Sequence, residues 1–298
     1  MYRDDLVIDA HQHLWDLERA SYPWLGPALA PLNRTIEFSE LKPSLRQWGV
    51  DATILVQAAD NDEDTDYMLQ VASMNPEICA VVGYVPLDRP AEAALRLESL
   101  SRMSLFRGAR TLSHIDADPD WLLRADVNEG LSLLADLDLS LDVAPVNLRQ
   151  LRNVTTLAGK HPTLRLVIDH LAKPPVKQGP SGPWRALIGA AAEHPNVYAK
   201  ISGLYPTSGD PRDWSSIDLE PFIEFGLEIF GARRLMFGSD WPICILNGGY
   251  HKVWSEVSSI LDTLSAVDRH WILGQTALHF YRTPPIRPGV GRHRTDVG

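Results

Sequence analysis

The sequence predicts a single-domain (β/α)8 barrel over residues 1–283, and three observations predict it. Eight short, β-branched apolar runs recur along the chain, and segments with helical spacing of apolar residues lie between them. No GxGxxG follows the first run, which counts against an open, doubly wound sheet. A chain of 298 residues with 45% apolar content is long enough for one large α/β domain.

The runs are "LVIDA" at 6, "ATILVQA" at 52, "AVVGYV" at 80, "FRGARTL" at 106, "LSLDVAP" at 139, "LRLVIDH" at 164, "VYAKISG" at 197 and "RLMFGSD" at 234. Between them "DTDYMLQVASMN", "PAEAALRLESLSRM", "NEGLSLLADLD", "LRQLRNVTTLAGKHP", "WRALIGAAAEHP" and "LEPFIEFGLEIFGA" space their apolar residues as helices do. Connections ending in Gly, Asn or His-Pro return each helix to the next strand. After the first run, residues 17–45 carry four prolines and little periodicity, and read as a long loop over the barrel mouth. Residues 284–298, rich in Pro, Gly and Arg, read as a mobile tail.

Composition narrows the function classes. No apolar run reaches the length of a membrane span, and "MYRDDLVIDAHQ" lacks a signal-peptide layout, so a cytoplasmic protein is expected. A net charge of −10 with no basic cluster before the tail makes nucleic acid a poor partner and leaves a small-molecule substrate. The two cysteines, Cys79 and Cys244, cannot build a disulfide framework or a Cys-rich zinc site, so any metal would need His and carboxylate ligands.

In such a barrel the active site lies at the C-terminal ends of the strands. Polar residues fall there in this sequence: His11 and His13 in "LVIDAHQHLWD" close the first run, Gln57 the second, Arg110 the fourth, His170 the sixth and Asp240 the eighth, with Lys200 near the end of the seventh. Taken singly, an Arg or Lys at a strand end is more often salt-bridged than catalytic, and a His more often structural. Their convergence above one barrel axis points to a site.

"DAHQHLWD", "VIDHLAKP", "AKISGLY" and "FGSDWP", in this order, resemble the amidohydrolase superfamily, in the branch that contains sugar-lactone and muconolactone hydrolases; the similarity covers about residues 5 to 282. The resemblance implies a (β/α)8 barrel, hydrolysis by an activated water and, in most members, a divalent ion. Two-metal members share a Lys at the end of strand four, where this chain has Arg110 in "GARTL"; single-metal members add a His after strand five, where it reads "LDVAPVN". What remains is His11, His13 and Asp240, with His170 as a fourth ligand or a water-orienting neighbour. One divalent ion, zinc by its N and O ligands, held weakly or dispensable, suits that set.

The expected reaction is the opening of a sugar lactone such as a fuconolactone or rhamnonolactone. Asp240 takes the proton of a water held near His11, His13 and His170 and returns it to the ring oxygen. A carboxylate beside imidazoles and a cation is expected to have a lowered pKa. The carbonyl oxygen would meet the metal, or a donor among His170, Lys173, Lys200 and Arg110. Asp169, of opposite strand parity to His170, is expected to play a structural or supporting part. Trp15, Tyr22, Trp24, Gln57 and Trp241, with Arg110, Lys173 and Lys200, are the expected substrate contacts, the indoles offering flat faces to a sugar ring. The alternatives are a muconolactone-type hydrolase, a metal-dependent non-oxidative decarboxylase and a non-catalytic ligand-binding barrel.

Overall fold

Each of the eight apolar runs is a strand. They are β1 (Ile8–Gln12), β2 (Ala52–Val56), β3 (Ile78–Gly83), β4 (Phe106–Arg110), β5 (Ser140–Val143), β6 (Arg165–Ile168), β7 (Val197–Ile201) and β8 (Leu235–Phe237). The computed structural model describes residues 6–206, 210–284 and 286. The strands run parallel, each paired with the next in chain order. The ring closes just past β8, where His13 N donates to the Trp241 carbonyl (2.7 Å) and Asp240 N to the His11 carbonyl (2.8 Å). The result is a (β/α)8 barrel. The tail expected from residue 284 lies, apart from Pro284 and Ile286, outside the described residues.

Strand alternation sorts the core into two layers. Ile8, Ala10, Ile54, Ala80, Val82, Val167 and Met236 fill the barrel, with Phe280 and Tyr281 packed at its floor. Leu166, Ile168, Leu235 and Phe237 face outward against the helices. Those helices are α1 (Phe38–Trp48), α2 (Asp62–Met74), α3 (Pro90–Leu100), α4 (Ala125–Asp136), α5 (Leu148–Lys160), α6 (Gly182–Ala192), α7 (Ser216–Phe230) and α8 (Gly249–Leu261), followed by the short α9 (Ala266–His270) and α10 (Thr276–Tyr281).

The expected loop over residues 17–45 needs correction, because α1 begins within it. Glu37 and Glu40 cap the helix reciprocally, and Gly49, at φ 66°, ends it. Phe38, Leu41 and Leu45 bury its inner face. Pro43 removes one helical hydrogen bond without stopping the helix, and the proline count hid a periodicity that was there. The remainder of the loop is pinned at both ends by the reciprocal hydrogen bonds of Trp15 and Ile36.

Candidate active site

One irregularity in β1 creates the site. Against β2 the register slips between Asp9 and Gln12, so that β1 spends one residue more than its partner. Ile8 and Ala10 face the barrel interior below the slip. Strict alternation would send Gln12 inward next; the extra residue turns His11 and His13 inward instead. Gln12 bonds Thr53 on the outer side.

Beneath the histidines runs a buried row of alternating charges. Tyr281 Oη donates to Asp142 Oδ2 (2.7 Å), Lys200 Nζ reaches the same oxygen (2.5 Å) and Asp169 Oδ1 (3.1 Å), and Arg110 Nε donates to Asp169 Oδ2 (3.0 Å). Burial raises the Asp142 carboxyl to about 6. Burial pushes the Asp169 carboxyl the same way, but Lys200, His11 and Arg110 outweigh it and hold it well below the usual carboxylate range. Asp169 therefore belongs to the floor of the site, a more central place than its parity suggested. Val167 and Asp169 alternate inward along β6, and His170 reaches the mouth for a different reason: residues His170 to Lys173 all have positive φ, a left-handed run that turns the chain over the axis.

Above this row His11 Nε2 lies 3.1 Å from His13 Nε2, and Asp240 Oδ1 lies 3.7 and 3.5 Å from the two nitrogens. His13 Nδ1 is 2.8 Å from the Val56 carbonyl, which makes it the protonated nitrogen and leaves the lone pair on Nε2. His170 Nδ1 pairs with Ser202 Oγ (2.9 Å). Burial lowers the His11 imidazole to about 3 and His170 well below its ordinary value, so both rings are neutral at pH 7. Burial would raise Asp240, but His170, His13, Lys173 and His11 overcome it and keep the carboxyl ionised.

Two glycines of the sequence motifs make this closeness possible. A Cβ on Gly203 would stand 2.5 Å from His170 Nδ1 and 2.8 Å from Asp240 Oδ2, and one on Gly238 would stand 2.6 Å from the His11 Cβ. Asp9, buried below, accepts from Ser239 N (2.8 Å) and His11 N (3.2 Å), tying β1 to the turn that carries Asp240.

A cavity of about 210 Å³ opens over these groups, lined among others by His13, Trp24, Arg110, His170, Lys173 and Asp240. The other expected substrate contacts are placed elsewhere. Trp15 is fully buried and donates to the Leu32 and Arg34 carbonyls; Tyr22 Oη donates to Asp64. Gln57 braces β2 against β4 through the Arg110 carbonyl, and Trp241 is buried behind the barrel closure. Lys200 lies under His11, out of reach of the cavity. The long first loop must span the mouth, so only one of its aromatics, Trp24, ends on the cavity wall, held by its indole N–H on the Ala58 carbonyl (2.7 Å).

Sequence reasoning missed His114, which sits on the wall in the β4–α4 loop with its buried Nδ1 unpartnered and its pKa lowered to about 4 by burial. It also missed Asp142 and Ser202. The inward parity of Asp142 with Ser140 in β5 was a usable signal; His114, on a loop, carried none.

The family model described as Amidohydrolase matches residues 8–283. The chain belongs to the amidohydrolase family. Among amidohydrolase relatives, an L-fucono-1,5-lactonase of Burkholderia ambifaria is 37% identical over 295 residues, covering 96% of this chain and 98% of that protein. An L-fucono-1,5-lactonase of Burkholderia multivorans is 34% identical, covering 94% and 97%. A crystal structure of an amidohydrolase from Burkholderia multivorans with bound zinc aligns with a TM-score of 0.86 at 35% identity, over 94% of this chain and all of that one.

The donor set fits a divalent ion. His11, His13 and Asp240 offer two nitrogens and an oxygen separated by 3.1 to 3.7 Å. A tetrahedral ion with bonds of about 2.0–2.1 Å sets its ligands about 3.3–3.4 Å apart. The other acidic cluster, His11 with Asp169 and His170, is less suited, because Lys200 and Arg110 already neutralise Asp169.

Proposed function

We propose that this amidohydrolase opens a sugar lactone, an aldono-1,5-lactone of the L-fucono type, at the cavity over His11, His13, His170 and Asp240. The observation that carries the reading is the convergence of His13, His170 and the ionised Asp240 on the wall of a cavity sized for one sugar ring, with His11 packed against His13 and Asp240. At about 210 Å³ it is smaller than the roughly 300–1,000 Å³ of pockets that take drug-sized ligands. The two lactonase relatives, similar along nearly their whole length, support the substrate class.

His11, His13 and Asp240 Oδ1 would hold one zinc ion, with His170 beside it. When bound, such an ion polarises a carbonyl and acidifies water. Lys200 and Arg110 flank the other side of His11, where a second cation would be repelled, which supports a single ion. Two equivalents of metal per chain in elemental analysis would contradict this.

The chain's own groups do the proton work. Asp240, ionised and beside the Gly203 backbone, takes the proton of the attacking water and passes it to the departing ring oxygen. An alcohol leaving group needs little more help than that. Arg110, whose Nε and Nη1 are committed to Asp169 and the Gln57 carbonyl, and Lys173, 3.4 Å from the Gly203 carbonyl, present positive charge to the oxygens that gain it in the tetrahedral intermediate and in the carboxylate product. Trp24 supplies an apolar wall for the ring.

The test is a panel of five- and six-carbon aldonolactones followed with a pH indicator, with a lactone lacking ring hydroxyls as control. Acid release from the sugar lactones is expected. Equal hydrolysis of the control would reject the sugar pocket. No acid release from any lactone would reject the activity.

A further inference from the structure

The buried groups around His11 can share their protons in two ways. In the first, Lys200 Nζ, which can only donate, points at His11 Nδ1 (3.0 Å); His11 Nε2–H then donates to His13 Nε2 (3.1 Å), and His13 Nδ1–H to the Val56 carbonyl (2.8 Å). This row is consistent from end to end. It leaves Asp169 Oδ1, which keeps Lys200 Nζ at 3.1 Å, facing the His11 Nδ1 lone pair at 3.3 Å.

In the second arrangement His11 carries its proton on Nδ1 and donates to Asp169 Oδ1. Lys200 keeps Asp142 Oδ2 at 2.5 Å and Asp169 Oδ1 at 3.1 Å. His11 Nε2 now turns a lone pair, together with that of His13, toward Asp240. The two arrangements differ in the position of one proton on one neutral ring, with no change in net charge. Only the second presents a ligand set.

We propose that Lys200 and Asp169 are positioning residues that compete for His11 Nδ1, so that Lys200 favours the tautomer that cannot hold a divalent ion and Asp169 the tautomer that can. Ion binding moves the His11 proton from Nε2 to Nδ1, and Lys200 lowers the affinity by the strength of the bond that must be given up. The inference rests on His11, His13 and Asp240 being the ligands.

The test uses the full chain with ring-15N-labelled histidine, chelator-treated and then loaded with zinc. In the metal-free protein His11 is expected as the Nε2–H tautomer, and with zinc as Nδ1–H. Lys200→Met should shift the metal-free ring toward Nδ1–H and tighten zinc binding about tenfold or more in equilibrium dialysis, the scale of one charge-assisted hydrogen bond. The same His11 tautomer with and without zinc would overturn the inference, as would tighter binding in Lys200→Met with no tautomer change, which loss of charge alone would produce. Should that variant fail to fold, the two wild-type spectra still decide. No zinc retained by the wild-type chain would overturn the ligand reading and the inference together, whereas zinc retained without a tautomer change overturns the inference alone.

Discussion

Asp240 and Trp24 fail in different ways if their roles are as described. Asp240→Asn keeps the side chain's shape and removes the proton acceptor, so kcat should fall by about 10²-fold or more while the unfolding temperature holds. Near-normal turnover in a folded variant would place the base elsewhere. Trp24→Ala removes a wall that meets substrate and transition state alike, so KM for sugar lactones should rise with kcat little changed. An unchanged KM would take Trp24 out of the substrate contacts. At this scale the sequence offers candidate groups by residue type, and the structure brings His11, His13, His170, Arg110 and Asp240 of those candidates together. The sequence could not tell Trp24 from Trp15, since both are indoles of one loop and only the packed chain buries the second entirely.

The elements act through small departures from regularity. The slipped register of β1 turns His11 and His13 inward, and the left-handed run after β6 brings His170 over the axis beside Asp169. Gly203 lets β7 pass between His170 and Asp240. Gly203→Ala would put a Cβ into both, at a position with φ 54°, so we expect a loss of stability of about 1–3 kcal/mol and a fall in kcat of about tenfold or more. Unaltered activity and melting temperature would mean that the turn relaxes freely. Strand parity read from the sequence assumes unbroken alternation, so the bulge and the left-handed run were invisible to it. Asp169, expected to play a structural or supporting part, lies under His11 between Lys200 and Arg110.

Across the whole molecule, buried titratable groups oppose one another. Asp9, Asp64 and Asp142 are raised to about 6 by burial, while His11 and His114 are lowered to about 3 and about 4 and His170 lies well below its ordinary value, again chiefly by burial. As pH falls from about 6 to about 4, the folded chain takes up protons on these carboxyls before the unfolded chain does, which adds stability. Over the same range the unfolded chain protonates histidines that the folded chain keeps neutral, which removes it. The two sets largely cancel. Below about pH 4 the unfolded carboxyls also protonate while Asp169 and Asp240 stay ionised in the fold, and every remaining contribution disfavours folding. The unfolding free energy of chelator-treated protein in urea should therefore change little between about pH 6 and about pH 4.5 and fall steeply below about pH 4. A steep loss beginning at pH 6 would show that the buried carboxyls are not raised, and a clear gain over that range would show that the histidines are not held neutral.

The barrel was legible in the sequence because its repeat is local: a strand must be apolar on both faces when it lies between a packed interior and a layer of helices, and eight such runs alternating with helical spacing leave little else to build. His11, His13, Arg110 and Asp240 were legible as candidates for the same reason, since each stands at or just past a strand end, whereas Trp24 and His114 lie in loops. Tertiary structure alone decided which of them meet. The pairing of Lys200 with Asp142, Asp169 and His11 joins positions far apart in the chain, and the approach of Gly203 to His170 and Asp240 and of Gly238 to His11 depends on strands closing a ring. A linear pattern records the direction in which each side chain leaves its own strand. Distances across the barrel axis depend on tilt, bulges and left-handed turns, which only the closed sheet determines.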